Sequence, residues 1–112
     1  MPTTQENQNR FKATIYHALS DPIRLEILDF LRDGEKCVCE IIPQLNIIQP
    51  VVSRHLKILK DAGIIRCRKD GTKRMYSLVD SRIRDAIESI TPELISVLQK
   101  EVREQMSCGS EE

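Results

Sequence analysis

The hydrophobic period of this 112-residue chain changes at Gly63, and that change restricts the fold more than any other feature. Before Gly63, Val52, Leu56 and Leu59 recur at i, i+4 and i+7, while Ser53, Arg54, Lys57 and Lys60 face away from that stripe, as an amphipathic helix requires. After it, Ile64-Ile65-Arg66-Cys67-Arg68 reads as a strand with a period of two. Lys69-Asp70-Gly71-Thr72 is a hairpin turn, with Asp-Gly expected to supply the positive φ values of a type I′ turn, and Lys73-Arg74-Met75-Tyr76-Ser77-Leu78-Val79 is the return strand. A polar-faced helix therefore runs directly into a small hairpin.

The rest of the chain reads as helix. Polar residues run to about Asn9, and Phe11, Ile15, Ala18 and Leu19 then give a first amphipathic helix. Ser20-Asp21-Pro22 is a start signal for a second helix, striped by Ile23, Ile27, Phe30 and Leu31 and ended by Asp33-Gly34. Ile41, Ile42 and Leu45 predict a short third helix ending near Asn46, with Pro43 in its first turn if it starts near Cys39 or Glu40. Gln49-Pro50 opens the fourth helix, which runs to Ala62. A last helix from about Asp80 carries Ile83, Ile87, Ile90, Leu94, Val97 or Leu98, and Val102 at helical spacing and is kinked or restarted at Thr91-Pro92. The expectation is one domain over 1–112, mainly α with a small β-hairpin wing, with 1–9 and 107–112 flexible.

Composition excludes several classes. At 40% hydrophobic and 30% charged residues the chain is neither disordered nor fibrous. It has no run of about 18 apolar residues to cross a membrane, and its first residues are polar, so a cytoplasmic protein with reduced thiols is expected. The 17 basic and 17 acidic groups cancel, but not locally. Residues 1–49 sum to −2, residues 50–79 to +6, and residues 80–112 to −4. A concentrated +6 over the fourth helix and the hairpin matches a phosphate-binding face better than a solvated surface.

Helix, short helix, tight connection, basic helix and basic hairpin form the layout of a winged helix-turn-helix. An α-helix fits the DNA major groove, and a hairpin bearing Arg66, Arg68, Lys69, Lys73 and Arg74 can reach phosphates or the minor groove. No nucleophile–base–orienter set is visible, so an enzyme is not expected.

Three segments together resemble the ArsR/SmtB family of metal-responsive repressors: Ala18-Leu19-Ser20-Asp21-Pro22-Ile23-Arg24-Leu25-Glu26-Ile27-Leu28; Glu35-Lys36-Cys37-Val38-Cys39-Glu40-Ile41, close to the arsenic box written E-L-C-V-C-D-L; and Gln49-Pro50 through Ile65. The resemblance covers residues 11–79 closely and the last helix loosely. It implies a homodimer through the first and last helices, in agreement with their apolar stripes, and hence a pseudo-palindromic double-stranded operator. It places Gln49, Ser53, Arg54 and His55 at DNA, with Lys57 and Lys60 on phosphates. His55 has an alternative, local packing beside Val52 and Leu56. Ile48 stands where the family often has a small capping residue such as Ser.

Cys37-x-Cys39 is the sharpest chemistry. On a regular helix the two thiols point about 200° apart, so they converge only if the segment is extended or the helix starts there. Thiolates select soft centres such as Zn(II), Cd(II), Pb(II) and Cu(I), and the resemblance adds As(III) or Sb(III). The family's third cysteine is here Ile42, so a third ligand must come from Cys108, which is preferred, from Cys67, or from an exogenous thiol or hydroxide. The family's zinc site on the last helix lacks its histidines: Asp80-Ser81-Arg82 begins it, and no His lies beyond residue 55. The expected function is a repressor released by an ion on Cys37 and Cys39; the alternative is a thiol redox switch (disulfide or persulfide) on the same fold.

Overall fold

The computed structural model describes residues 4–108, apart from the side chain of Cys108. Helix α1 spans Thr4–Leu19 and α2 spans Pro22–Phe30, the latter continued by a 3-10 turn at Leu31–Asp33. Strand β1 is Lys36–Cys37, followed without a gap by α3 at Val38–Leu45 and then by α4 at Gln49–Asp61. Strands β2 (Ile65–Asp70) and β3 (Lys73–Leu78) form the hairpin, and α5 (Arg82–Glu88) and α6 (Pro92–Cys108) complete the order. The architecture is mainly helical with a small antiparallel sheet, as the alternation of periods implies.

Local chemistry sets most of the boundaries. Asp21 caps α2, its carboxylate accepting from the backbone N–H of Ile23 at 2.8 Å and of Arg24 at 3.3 Å, with Pro22 at the first helical position. Asn46 ends α3 in the left-handed region at φ 54°, which asparagine tolerates better than most residues. Ile48 caps α4 with no side-chain hydrogen bond, as the sequence implies. At the last bend the helix restarts: Pro92 opens α6 and Thr91 Oγ1 accepts from Leu94 N–H at 3.2 Å.

Four features differ from expectation. Helix α1 begins at Thr4, taking in polar residues 4–9 that carry no apolar stripe; residues 1–3 and 109–112 lie outside the described residues. Helix α3 begins at Val38, because Cys37 supplies its cap, so Pro43 sits inside the helix rather than in its first turn and has no N–H to offer the Cys39 carbonyl. The hairpin pairs Asp70 with Lys73, so its two-residue loop is Gly71-Thr72, not Asp70-Gly71. Only Gly71 has positive φ there (65°), the pattern of a type II′ turn with glycine first. Finally, the sheet has a third strand, in the order β1-β3-β2, with Lys36 opposite Tyr76 and Cys37 opposite Met75. Two residues are too short to display a period.

The core gathers Ile27, Leu31, Ile41, Leu56, Leu59 and Ile64, all fully buried, between α2, α3, α4 and the sheet. Val52, Leu56 and Leu59 hold α4 on this core by the face read from the sequence. In contrast, Val97, Leu98 and Val102 of α6 and Phe11 and Tyr16 of α1 stay exposed. The radius of gyration, 17.4 Å, exceeds the roughly 13 Å of a compact domain of this length. Among the described residues no helix is long and apolar enough to cross a membrane.

Candidate nucleic-acid interface

Because its apolar face is turned inward, α4 presents Gln49, Ser53, Arg54, Lys57 and Lys60 outward, all exposed. A groove runs between this face and the hairpin, lined by Gln49, Ser53, Lys57, Lys60, Arg74 and Tyr76, with Val38 of α3 at its edge. The fold thus brings together on one surface the polar face of α4 and Arg74 of the wing. Arg66 and Lys73 are exposed on the same hairpin. Lys57 is paired with Asp61 one turn on, at 2.7 Å, in an exposed position. Such a pair is worth little and leaves the ammonium free to exchange partners.

Two basic-face residues already have partners within the chain. Arg68 forms a bidentate ion pair with Glu35, Nε to Oε2 and a terminal nitrogen to Oε1, both at 2.7 Å. The hydrogen bond from Arg68 holds the Glu35 carboxyl below its ordinary range, and the same bond raises the Arg68 guanidinium. Half-buried His55 places Nδ1 3.1 Å from a terminal nitrogen of Arg24, so the local alternative describes its surroundings.

Arg24 is the residue that the sequence reading did not single out. It is 7% exposed, and its Nε donates to the Ala18 carbonyl at 2.7 Å while a terminal nitrogen donates to the His17 carbonyl at 3.2 Å. The guanidinium therefore caps the C-terminus of α1 and joins it to His55 on α4. A cation at a helix C-terminus is favourable. The available signal was its position: a basic residue in the first turn of α2, where the helix dipole disfavours it. Desolvation pushes the nearby Asp21 carboxyl up, but the N–H groups of Ile23 and Arg24 and the charge of Arg24 outweigh it and hold it below its ordinary value.

The thiol pair stands behind the groove. Cys37, buried, is the N-cap of α3 in extended conformation (φ −72°, ψ 146°), and Cys39, exposed, is two residues on. The extended residue at the helix start turns the two side chains toward each other, and they are joined as a disulfide with Cα atoms 5.0 Å apart. Cys37 Sγ accepts from Cys39 N–H at 3.0 Å, and the Glu40 carboxylate accepts from Cys37 N–H at 3.3 Å, a capping box built on a sulfur. Only with this bond reduced would Cys37 and Cys39 offer a soft ion two sulfur donors. Among the described residues no third His, Cys, Asp or Glu joins them. Cys67 is opposite Tyr76, in the row of Lys36 rather than of Cys37, and it packs at the core edge. Burial, followed by the contact with Cys67, raises the Tyr76 hydroxyl. Cys108 is the last residue of α6, and its side chain lies outside the described residues.

The model of bacterial regulatory proteins of the arsR family matches residues 21–66. An HTH-type transcriptional regulator of Methanocaldococcus jannaschii is 47% identical over 79 residues, 70% of this chain and 89% of that protein. The arsenical resistance operon repressor of Staphylococcus aureus is 41% identical over 78 residues, 70% of this chain and 75% of that one. The solution structure of a homodimeric winged helix-turn-helix DNA-binding domain from Mycobacterium bovis is similar, with TM-score 0.71 and 25% identity over 94% of this chain and 93% of that one. With its outward basic helix, its wing and these relatives, the chain belongs to the arsR family of winged helix-turn-helix, DNA-binding transcriptional repressors and is not an enzyme.

Proposed function

We propose that two copies of this chain pair through α1 and α6, bind a pseudo-palindromic operator, and leave it when a thiophilic ion is held by Cys37 and Cys39. Within each copy Gln49, Ser53 and Arg54 read the major groove, while Lys57, Lys60, Arg66, Lys73 and Arg74 meet phosphates. The exposed apolar residues of α1 and α6 support the pairing, and so does the homodimeric M. bovis relative. The whole 1–112 chain then acts as one DNA-binding domain.

One observation carries the inducer reading: Val38, between the two cysteines, lines the same groove as Gln49 and Ser53. An ion on both sulfurs draws on the cap of α3, shifts Val38, and changes the seat of α4 against the wing. The dimer state that binds DNA poorly is favoured by whatever affinity difference the ion has for it. Allosteric couplings in general run at about 1–3 kcal/mol, or 5- to 150-fold in affinity. As(III) or Sb(III) is the first candidate, given the arsenical repressor among the relatives, with Cd, Pb and Zn behind it. The third ligand is Cys108, or an exogenous thiol or hydroxide.

The bonded sulfurs support a second reading, in which oxidation of Cys37 and Cys39 itself releases the operator. Fluorescence anisotropy on a labelled operator separates the two. Reduced protein is titrated with arsenite, Cd(II) and Zn(II), and separately oxidised with diamide. Release by arsenite in the reduced protein, lost in Cys37→Ser and Cys39→Ser, supports the ion reading. Release by diamide alone replaces it with the redox switch.

A further inference from the structure

A bidentate ion pair joins the segment that bears the thiols to the wing. Glu35 immediately precedes β1, and β1 ends in Cys37. Arg68 lies in β2, on the far side of the middle strand β3. In register, Cys37, Met75 and Arg68 form one row across the three strands. The Glu35 carboxylate therefore reaches over the middle strand to grip the guanidinium in a two-bond fork. Fork geometry adds direction as well as strength, which a single lysine contact does not.

Two consequences follow from the geometry. A two-residue strand is a short attachment, so the Glu35–Arg68 fork adds a side-chain tie between the thiol segment and the wing to the β1–β3 pairing. Moreover, a guanidinium whose Nε and one terminal nitrogen both lie on a carboxylate is not offering that edge to a phosphate. We propose that Glu35 and Arg68 are a coupling pair: Glu35 withholds Arg68 from DNA and carries displacement of the Cys37 strand into the wing. Arg68 thereby leaves the set of wing residues that touch phosphate. This proposal rests on the inducer reading for its second half only.

The test uses full-length dimer and a labelled operator. Operator Kd is measured across salt for wild type, Glu35→Gln, Arg68→Gln, and the exchanged pair Glu35→Arg with Arg68→Glu, each checked by thermal unfolding. Each phosphate contact contributes about 0.9 to the slope of log K against log salt. Arg68→Gln is expected to keep the wild-type slope, and Glu35→Gln to steepen it by about one contact as Arg68 is freed. A slope that falls by about one in Arg68→Gln while Glu35→Gln is unchanged overturns the withholding. Next, the ratio of Kd with and without arsenite is measured. It is expected to drop at least fivefold in both single variants and to recover in the exchanged pair. Single variants as responsive as wild type overturn the coupling. An arsenite-indifferent wild type overturns the inducer reading and with it the coupling half, while the salt slopes still decide the withholding.

Discussion

Replacing Arg24 by Met keeps the length and apolar bulk of the side chain and removes all three of its donors. In the native protein those donors serve the buried Ala18 carbonyl at 2.7 Å, the His17 carbonyl at 3.2 Å and His55 Nδ1 at 3.1 Å. Hydrogen bonds from charged groups contribute about 1.5–3 kcal/mol and ordinary ones about 0.5–1.5. Taking about 1.5 for the short buried bond and about 0.5 for each longer one gives roughly 2.5 kcal/mol. The stranded Ala18 carbonyl adds to the cost, and relief of a desolvated charge offsets part of it. The assay is urea unfolding of reduced protein at one fixed concentration, because a dimer's stability depends on it. With m near 1–2 kcal/mol/M, the midpoint should fall by about 1–2 M in Arg24→Met. Arg24→Lys, which retains the charge but not the fork, should lie between the two proteins. Operator affinity should fall as well, because His55 of α4 loses its anchor to the end of α1. A midpoint within about 0.3 M of wild type at unchanged m would refute the assignment of Arg24 as the joint between α1, α2 and α4.

Other expectations are independent of this one. Cys37→Ser should cost little, because serine is a good N-cap for α3, whereas Cys37→Ala should lose about 1 kcal/mol in the same unfolding assay, although both remove the thiol. Ile48 is 68% exposed, extended, and caps α4 without a side-chain bond, so Ile48→Ser should raise stability by about 0.5–1 kcal/mol. Asp21 titrates below its ordinary 3.8 when folded, so its contribution is complete above about pH 5 and is lost as pH falls through the folded value. Acid unfolding of Asp21→Asn should accordingly lack part of the pH dependence of wild type, with no difference in slope near pH 7.

The helices and the hairpin were legible because each spans several periods of its own pattern, and Gly63 marks the break between them. The inward face of α4 followed from three spacings, Val52, Leu56 and Leu59, which tertiary packing then used. Strand β1 was not legible, since two residues carry no period, and its partner lies almost 40 positions along the chain. The turn was assigned one residue early because Asp-Gly and Gly-Thr both satisfy a glycine requirement, and only strand register distinguishes them. In the candidate site, the residue types of the basic face and the convergence of Cys37 and Cys39 were readable. The engagement of Arg68 by Glu35 and of His55 by Arg24 was not, because partners 33 and 31 residues apart meet only after folding.

The central claim is that the thiol pair and the operator are coupled, and coupling is reciprocal. Arsenite affinity of the reduced dimer, measured by calorimetry free and with saturating operator, tests it most directly. The account predicts that operator weakens arsenite binding by the same factor, about 5- to 150-fold, by which arsenite weakens operator binding. Arsenite that binds the DNA complex as tightly as it binds the free dimer would contradict it.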